Sequence, residues 1–236
     1  MSDISSEANS AAAALWPPCF TAAIFDFDGT IAFTHELWNE VDRAFLGARG
    51  IQVTPDYQRR LSVLGFEAGA RYTIETYHLD ESVADICEEW NRMGRALYES
   101  RVRLRPGVKS YIDALKAHGV GCGLATVNDP EVLRASRHID VDELFDVCIY
   151  GREVKRPKDY PDIYLEAARR LKVAPANCIV FEDLFAGLRS AQRAGMLTCA
   201  VASDDPNQDI GALRSVSDMF LSEWRDIDLS AVKPKD

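Results

Sequence analysis

Thr21-Ala22-Ala23-Ile24-Phe25-Asp26-Phe27-Asp28-Gly29-Thr30 is an apolar run that ends in two carboxylates, a glycine and a hydroxyl. Thr21 to Phe25 reads as a short buried strand bounded by a turn signal. In an open parallel α/β sheet, ligands bind outside the carboxyl ends of the strands, so Asp26 and Asp28 stand where chemistry is done. Side chains two apart on an extended backbone share a side, and both acids can address one site. Two carboxylates that close repel each other, and a divalent cation that takes hard oxygen ligands, such as magnesium, relieves the repulsion. Taken alone, the stretch also fits a plain Asp-Gly turn after a strand.

Working outward, the texture of the chain changes twice. Phe33 to Arg101 carries no strand-like run, and its apolar residues follow helical spacing. Four helices are expected there: His35 to Arg49, Pro55 to Leu64, Phe66 to His78, and one capped by Asp80 that runs to about Arg101. From Gly119 on, strand-like and helical runs alternate, which is the pattern of βαβ units and a parallel sheet. Strands are expected at Val120–Thr126, Val147–Tyr150, Cys178–Phe181, Thr198–Ala202 and Asp218–Leu221. The helices between and after them are expected at Pro130–His138, Asp162–Leu171, Phe185–Ala194 and Gln208–Val216. The fold class that follows is α/β, a Rossmann-like parallel sheet with helices on both faces and an inserted all-α cap. The expected division is a disordered lead-in at 1–18, an α/β core at 19–32 and 103–236, and a helical cap at 33–102. One linker lies near Ile31 to Thr34, the other near Leu104 to Gly107, where Pro106-Gly107 marks a boundary.

Composition narrows the class of partner. The chain has 236 residues, 47% hydrophobic and 27% charged, which is ordinary for a globular protein. Its net charge of −10 argues against nucleic-acid or anionic-membrane binding. No apolar stretch approaches the ~20 residues of a membrane span. The start lacks the basic region of a signal peptide and carries Asp3 and Glu7, so a cytoplasmic location is expected. The six cysteines show no metal-binding spacing and read as small apolar residues in a reducing compartment. A monomer is expected. An anionic substrate must then be captured by a local field from metal, lysine and backbone amides.

Three further strand ends carry polar groups. Gly123-Leu124-Ala125-Thr126 is followed by Val127-Asn128, a hydroxyl and free amides where a helix begins, which suits a phosphate. Lys155 and Lys158 stand in the loop before Pro161-Asp162. Ile179-Val180-Phe181 runs into Glu182-Asp183, and two acids after a buried strand are costly unless they hold a cation. Each signal is weak alone, but in a parallel sheet the four ends converge on one edge.

In that order the four motifs resemble those of the haloacid dehalogenase superfamily, closest to the branch with β-phosphoglucomutase and many small-molecule phosphatases. The resemblance covers about Thr21 to Leu229. It implies a magnesium-dependent phosphatase of a small phosphorylated metabolite, with Asp26 as nucleophile and Asp28 as general acid and base. It implies magnesium bound by Asp26, the Asp28 backbone carbonyl and Asp183, with Glu182 a direct or water-bridged ligand. Alignment with the family selects Lys158 over Lys155 as the lysine that neutralises the phosphoryl group. Gly29, Thr126, Val127 and Asn128 complete the implied substrate contacts. Val127 and Leu184 replace polar residues usual in the family, and Phe33 stands where many relatives place an acid. A sugar-phosphate mutase shares all four motifs, and stimulation by a sugar bisphosphate would distinguish it. A phosphonatase is disfavoured because Phe33 to Arg101 has no lysine, and a dehalogenase because that branch lacks an acid at Asp28. A non-catalytic protein that binds a phosphometabolite in the same fold is the reading from another class. Phe33 is expected either to stiffen the hinge or to line the substrate pocket.

Overall fold

The computed structural model describes residues 15–231. Six parallel strands form one sheet: β1 (Ala22–Phe25), β2 (Gly121–Thr126), β3 (Val147–Tyr150), β4 (Cys178–Glu182), β5 (Leu197–Val201) and β6 (Met219–Leu221). Their order is β3-β2-β1-β4-β5-β6. The chain thus builds outward from β1 on one side, then crosses to the other side for β4. This doubly wound order leaves a crevice at the carboxyl ends of β1 and β4, where the connections diverge.

Period-two alternation along β1 explains both faces of the sheet. Ala23 and Phe25 pack into a core with Tyr111, Ile112 and Leu115 of the helix Val108–Ala117. Ala22 and Ile24 face the opposite core, built with Ile163, Tyr164, Ala167 and Ala168 of the helix Asp162–Leu171. Buried on both sides, the strands read as continuous apolar runs.

Between β1 and β2 the chain forms α1 (His35–Gly47), α2 (Pro55–Leu64), α3 (Phe66–Tyr77) and α4 (Val83–Arg101). These enclose a separate apolar cluster around Val41, Phe45, Tyr57, Ile86 and Trp90. The remaining helices are α5 (Val108–Ala117), α6 (Pro130–Arg134), α7 (Val141–Leu144), α8 (Asp162–Leu171), α9 (Phe185–Arg193) and α10 (Ile210–Ser215).

Several boundaries differ from the expected ones, and side-chain capping accounts for most. α4 is capped by Ser82 rather than Asp80, because Ser82 and Asp85 form a reciprocal capping box. α6 stops at Arg134, and Ser136 Oγ accepts the N–H groups of His138 and Ile139 beyond it. Asp140 then caps the short α7, which the sequence pattern did not reveal. α10 starts after Asp209, whose carboxylate accepts the Ala212 N–H. The expected lead-in falls mostly outside the described residues at 1–14. From Leu15 the chain is packed: Leu15 and Trp16 are buried, and the Tyr111 hydroxyl donates to the Leu15 carbonyl at 3.2 Å.

The return from α4 to the sheet is fixed by Arg105 and Gly107. Arg105 is buried and donates to the carbonyls of Gly29, Thr30, Ala202 and Ser222. Gly107 has φ +96, and a Cβ there would lie 2.6 Å from the Arg225 nitrogen. Gly107→Ala therefore combines left-handed strain with a backbone clash. We expect it to destabilise the fold by about 2 kcal/mol or more, measured by urea unfolding. A midpoint unchanged from wild type would show that this turn relaxes freely.

Candidate active site

In the β1–β4 pairing, Phe25 stands opposite Phe181. Their rings stack with centroids 4.9 Å apart and planes 8° from parallel, and Trp224 packs against both. This register puts the next residues, Asp26 and Glu182, side by side. The Asp26 N–H donates to the Phe181 carbonyl at 3.0 Å, carrying the ladder one step past β1. Oxygens of Asp26, Glu182 and Asp183 all lie within 4.8 Å of one another, and all three residues are buried. Gly29, at φ +75, is required beside them, since a Cβ would fall 2.3 Å from Asp183 Oδ2.

Lys158 supplies the opposing charge. It is 2% exposed, its Nζ lies 2.7 Å from Glu182 Oε2, and it also bonds Asp26 Oδ1. Lys155 is exposed. Glu182 has both oxygens engaged within the protein. Oε2 also accepts the Tyr164 hydroxyl at 2.7 Å, and Oε1 accepts the N–H groups of Asp183 and Leu184. Gly187 makes room for this carboxylate, because a Cβ there would lie 2.6 Å from Glu182 Cδ.

Burial works against the Lys158 charge, but the Asp26 and Glu182 carboxylates outweigh it and hold the ammonium above its ordinary range. Burial pushes Asp26 up to about 8, with Lys158 pulling down and Glu182 and Asp28 pushing up. Burial and the charges of Glu182 and Asp26 push Asp183 well above the carboxylate range, and a Thr30 hydroxyl at 3.2 Å offsets this only in part. Three buried carboxylates thus face one ammonium. The surplus charge and the hard oxygen donors fit a divalent cation such as magnesium.

Asp28 is held differently. Trp38 of α1 donates from Nε1 to Asp28 Oδ1 at 3.1 Å, and Tyr98 of α4 donates its hydroxyl to the same oxygen. Asn128 donates from Nδ2 to Oδ2 at 2.9 Å. Trp38 and Asn128 also donate to the Tyr98 oxygen, at 2.9 and 3.0 Å. Burial and the adjacent Asp28 charge hold the Tyr98 hydroxyl well above its ordinary range, so it stays a donor. Neither Trp38 nor Tyr98 carried a sequence signal. Each sits in a helical apolar pattern, and Tyr98 is 70 residues from Asp28.

These groups open onto a cavity of about 680 Å³ between the strand ends and the helical insert. Asp26, Asp28, Gly29, Val127, Asn128, Lys158 and Asp183 line it. Thr126 does not; it is buried, and its Oγ1 accepts the Asn128 N–H at 3.1 Å, shaping the turn instead. The Asn128 side chain faces Asp28, where a substrate contact had been expected. The Lys158 N–H donates to the Val63 carbonyl of α2 at 3.1 Å, joining the lysine loop to the insert. Phe33 is outside the cavity lining, with the Arg105 guanidinium 4.3 Å from its ring centre. The pocket-lining role considered for it is therefore dropped. Arginines of the insert pair with its acids: Arg43 with Glu36, Arg49 with Glu81 and Glu89, Arg59 with Asp56, Arg71 with Glu67. Arg60 reaches Asp159 at 4.0 Å.

A family model described as haloacid dehalogenase-like hydrolase matches residues 23–201. The chain is 32% identical over 221 residues to Protein CbbY of Rhodobacter capsulatus, covering 89% of this chain and 94% of that protein. It is 30% identical over 176 residues to a phosphorylated carbohydrates phosphatase of Thermotoga maritima, covering 74% and 82%. The crystal structure of CbbY from Rhodobacter sphaeroides in complex with phosphate superposes with a TM-score of 0.73 at 27% identity, over 89% of this chain and 96% of that one. The strand order, the acids at the ends of β1 and β4 and the extent of these matches lead to one conclusion: the chain belongs to the haloacid dehalogenase-like hydrolase family, as an enzyme of that family.

Proposed function

We propose that this chain is a magnesium-dependent phosphatase that hydrolyses a small phosphorylated metabolite through an aspartyl-phosphate on Asp26. The observation that carries the reading is the pairing of Asp26 with Lys158 at the cavity floor, with Asp28 pinned beside it. The relatives named as phosphatases, and a neighbour solved with phosphate, support the same class of substrate.

In this reading an Asp26 oxygen attacks phosphorus, and the bond from phosphorus to the ester oxygen breaks. Asp28 gives its proton to that leaving oxygen. It then takes a proton from water, whose oxygen attacks the aspartyl-phosphate and frees Asp26 and inorganic phosphate. Trp38, Tyr98 and Asn128 hold Asp28 in one orientation for both steps. Lys158 and the backbone amides of Asp28 and Val127 hold the phosphoryl oxygens as charge spreads onto them, since the Gly29 N–H already donates to the Ala32 carbonyl and the Asn128 N–H to Thr126. Asp26 and Asp183, with the Asp28 carbonyl, would hold magnesium, which when bound offsets the charge of nucleophile and phosphate. Glu182 acts through Lys158, which it orients, since both of its oxygens are already engaged. Residues 33–102 act as a cap that closes over the substrate and excludes bulk water.

Three outcomes follow. Asp26→Asn should fold as wild type, checked by circular dichroism, and lose phosphate-ester turnover by at least about 10³-fold; near wild-type turnover would remove Asp26 as nucleophile. Protein stripped with EDTA should be inactive on nitrophenyl phosphate and recover on addition of magnesium, whereas equal rates with and without the ion would exclude its role. Lys158→Ala should lower kcat/KM by about 10²–10³-fold, while Lys155→Ala keeps most of it. The reverse pattern would transfer the role to Lys155.

A further inference from the structure

Asp183 is the acid of the buried cluster that makes no salt bridge among the described residues, since Lys158 pairs with Asp26 and Glu182. Its carboxylate accepts the Thr30 hydroxyl at 3.2 Å, and Gly29 crowds it from one side. Its aim is therefore set largely by its backbone. The Asp183 N–H donates to Glu182 Oε1 at 3.2 Å, and the Asp183 carbonyl accepts Gln208 Nε2 at 2.9 Å. Gln208 is half-buried in the loop between β5 and α10, 25 residues further along the chain. Its Nε2 also donates to the Val201 carbonyl at 3.1 Å, and its Oε1 accepts the Ser203 N–H at 2.9 Å. The pairing of β4 with β5 ends at Glu182 and Ala200, so Asp183 and Val201 are the next residues on the two strands. The Gln208 amide joins these strand ends where the ladder no longer does.

We propose that Gln208 is a positioning residue for the cation: by tying the Asp183 backbone to the end of β5, it keeps the Asp183 carboxylate aimed at the site it shares with Asp26. This extends the magnesium reading of the cluster, on which it rests, to a residue outside the four strand-end motifs. An aspartate has only two side-chain torsions, so a fixed backbone leaves its oxygens few directions. With the carbonyl released, the peptide unit can turn, and repulsion from Asp26 and Glu182 drives the carboxylate out of the shared site. Partners one shell beyond a metal ligand are commonly worth about 10–100-fold in affinity. An amide suits the place: its two N–H groups meet two carbonyls and its oxygen meets one N–H. The competing role for Gln208 is to build the loop alone. That loop has supports of its own, because Asp205 Oδ1 accepts the Asn207 N–H and Asp209 caps α10. Asp209 makes no contact with Asp183, so the loop can be weakened there without touching the acid.

The test titrates magnesium into EDTA-stripped protein by calorimetry. Gln208→Met keeps the length of the side chain and removes its donors; it should weaken magnesium binding by at least about tenfold. Gln208→Ala is the second variant, should the thioether disturb the packing, and the same loss is expected. With nitrophenyl phosphate, the magnesium concentration giving half the maximal rate should rise by the same factor, while kcat at saturating magnesium falls far less. Asp209→Ala is the control for the loop: it should lower the urea midpoint through loss of the helix cap, yet bind magnesium within about twofold of wild type. Wild-type affinity in both Gln208 variants overturns the proposal and leaves the magnesium reading intact. So does an Asp209→Ala protein that loses as much affinity as Gln208→Met, because the loop rather than the amide would then hold the acid. A wild-type protein that binds no magnesium overturns the metal reading and the role of Gln208 together.

Discussion

Buried charge is the constraint on which the rest of this structure depends. Asp26, Glu182 and Asp183 converge at the buried floor of the cavity, with the Lys158 ammonium among them. Taking such ions out of water costs several kcal/mol each, and removing one partner of a buried pair costs about 3–5 kcal/mol. The surroundings are arranged to meet that cost. Tyr164 and two backbone N–H groups satisfy Glu182, Thr30 donates to Asp183, and Gly29 and Gly187 clear the space the carboxylates occupy. The stacked Phe25 and Phe181 rings behind them fix the register that brings the acids together.

A second network joins the sheet to the insert. Asp28 belongs to the loop after β1, yet two of its three donors, Trp38 and Tyr98, come from the first and last helices of the insert. The Lys158 backbone donates to Val63 at the end of α2. Both groups beside Asp26 are therefore tied to the insert, whose first and last helices also place Leu37 and Tyr98 in the core on one face of the sheet.

The parts of this arrangement that were legible in the sequence are those written locally. A buried strand ending in acids is visible from a few adjacent residues, so the parallel sheet and Asp26, Asp28, Glu182 and Asp183 could be read from residue types alone. Lys158 could not be separated from Lys155 by residue type; its choice rested on family spacing, and burial is what distinguishes the two in the fold. The grip on Asp28 was illegible for a physical reason. Trp38 and Tyr98 occupy positions where an amphipathic helix puts apolar residues, and their polar atoms acquire partners only after the chain has closed on itself. Asn128 was noticed as a phosphate contact, but its amide turns to Asp28, a choice between two nearby acceptors that spacing does not encode. Helix ends shifted wherever a serine or aspartate found a backbone N–H, as at Ser82, Ser136 and Asp140.

The apolar cluster inside the insert, around Phe45, Tyr57, Ile86 and Trp90, shares no buried residue with the three clusters that flank the sheet, and half-buried Trp38, Phe66 and Leu97 bridge it to one of them. Substitutions at Asn39, Asp42 or Gln58 alter what the cavity wall presents without disturbing the strand register or the carboxylates beneath it. Substitutions at Phe25 or Phe181 have no such latitude. The side chains that shape the cavity wall and those that set the strand register are thus largely different, and they meet where Trp38 and Tyr98 grip Asp28.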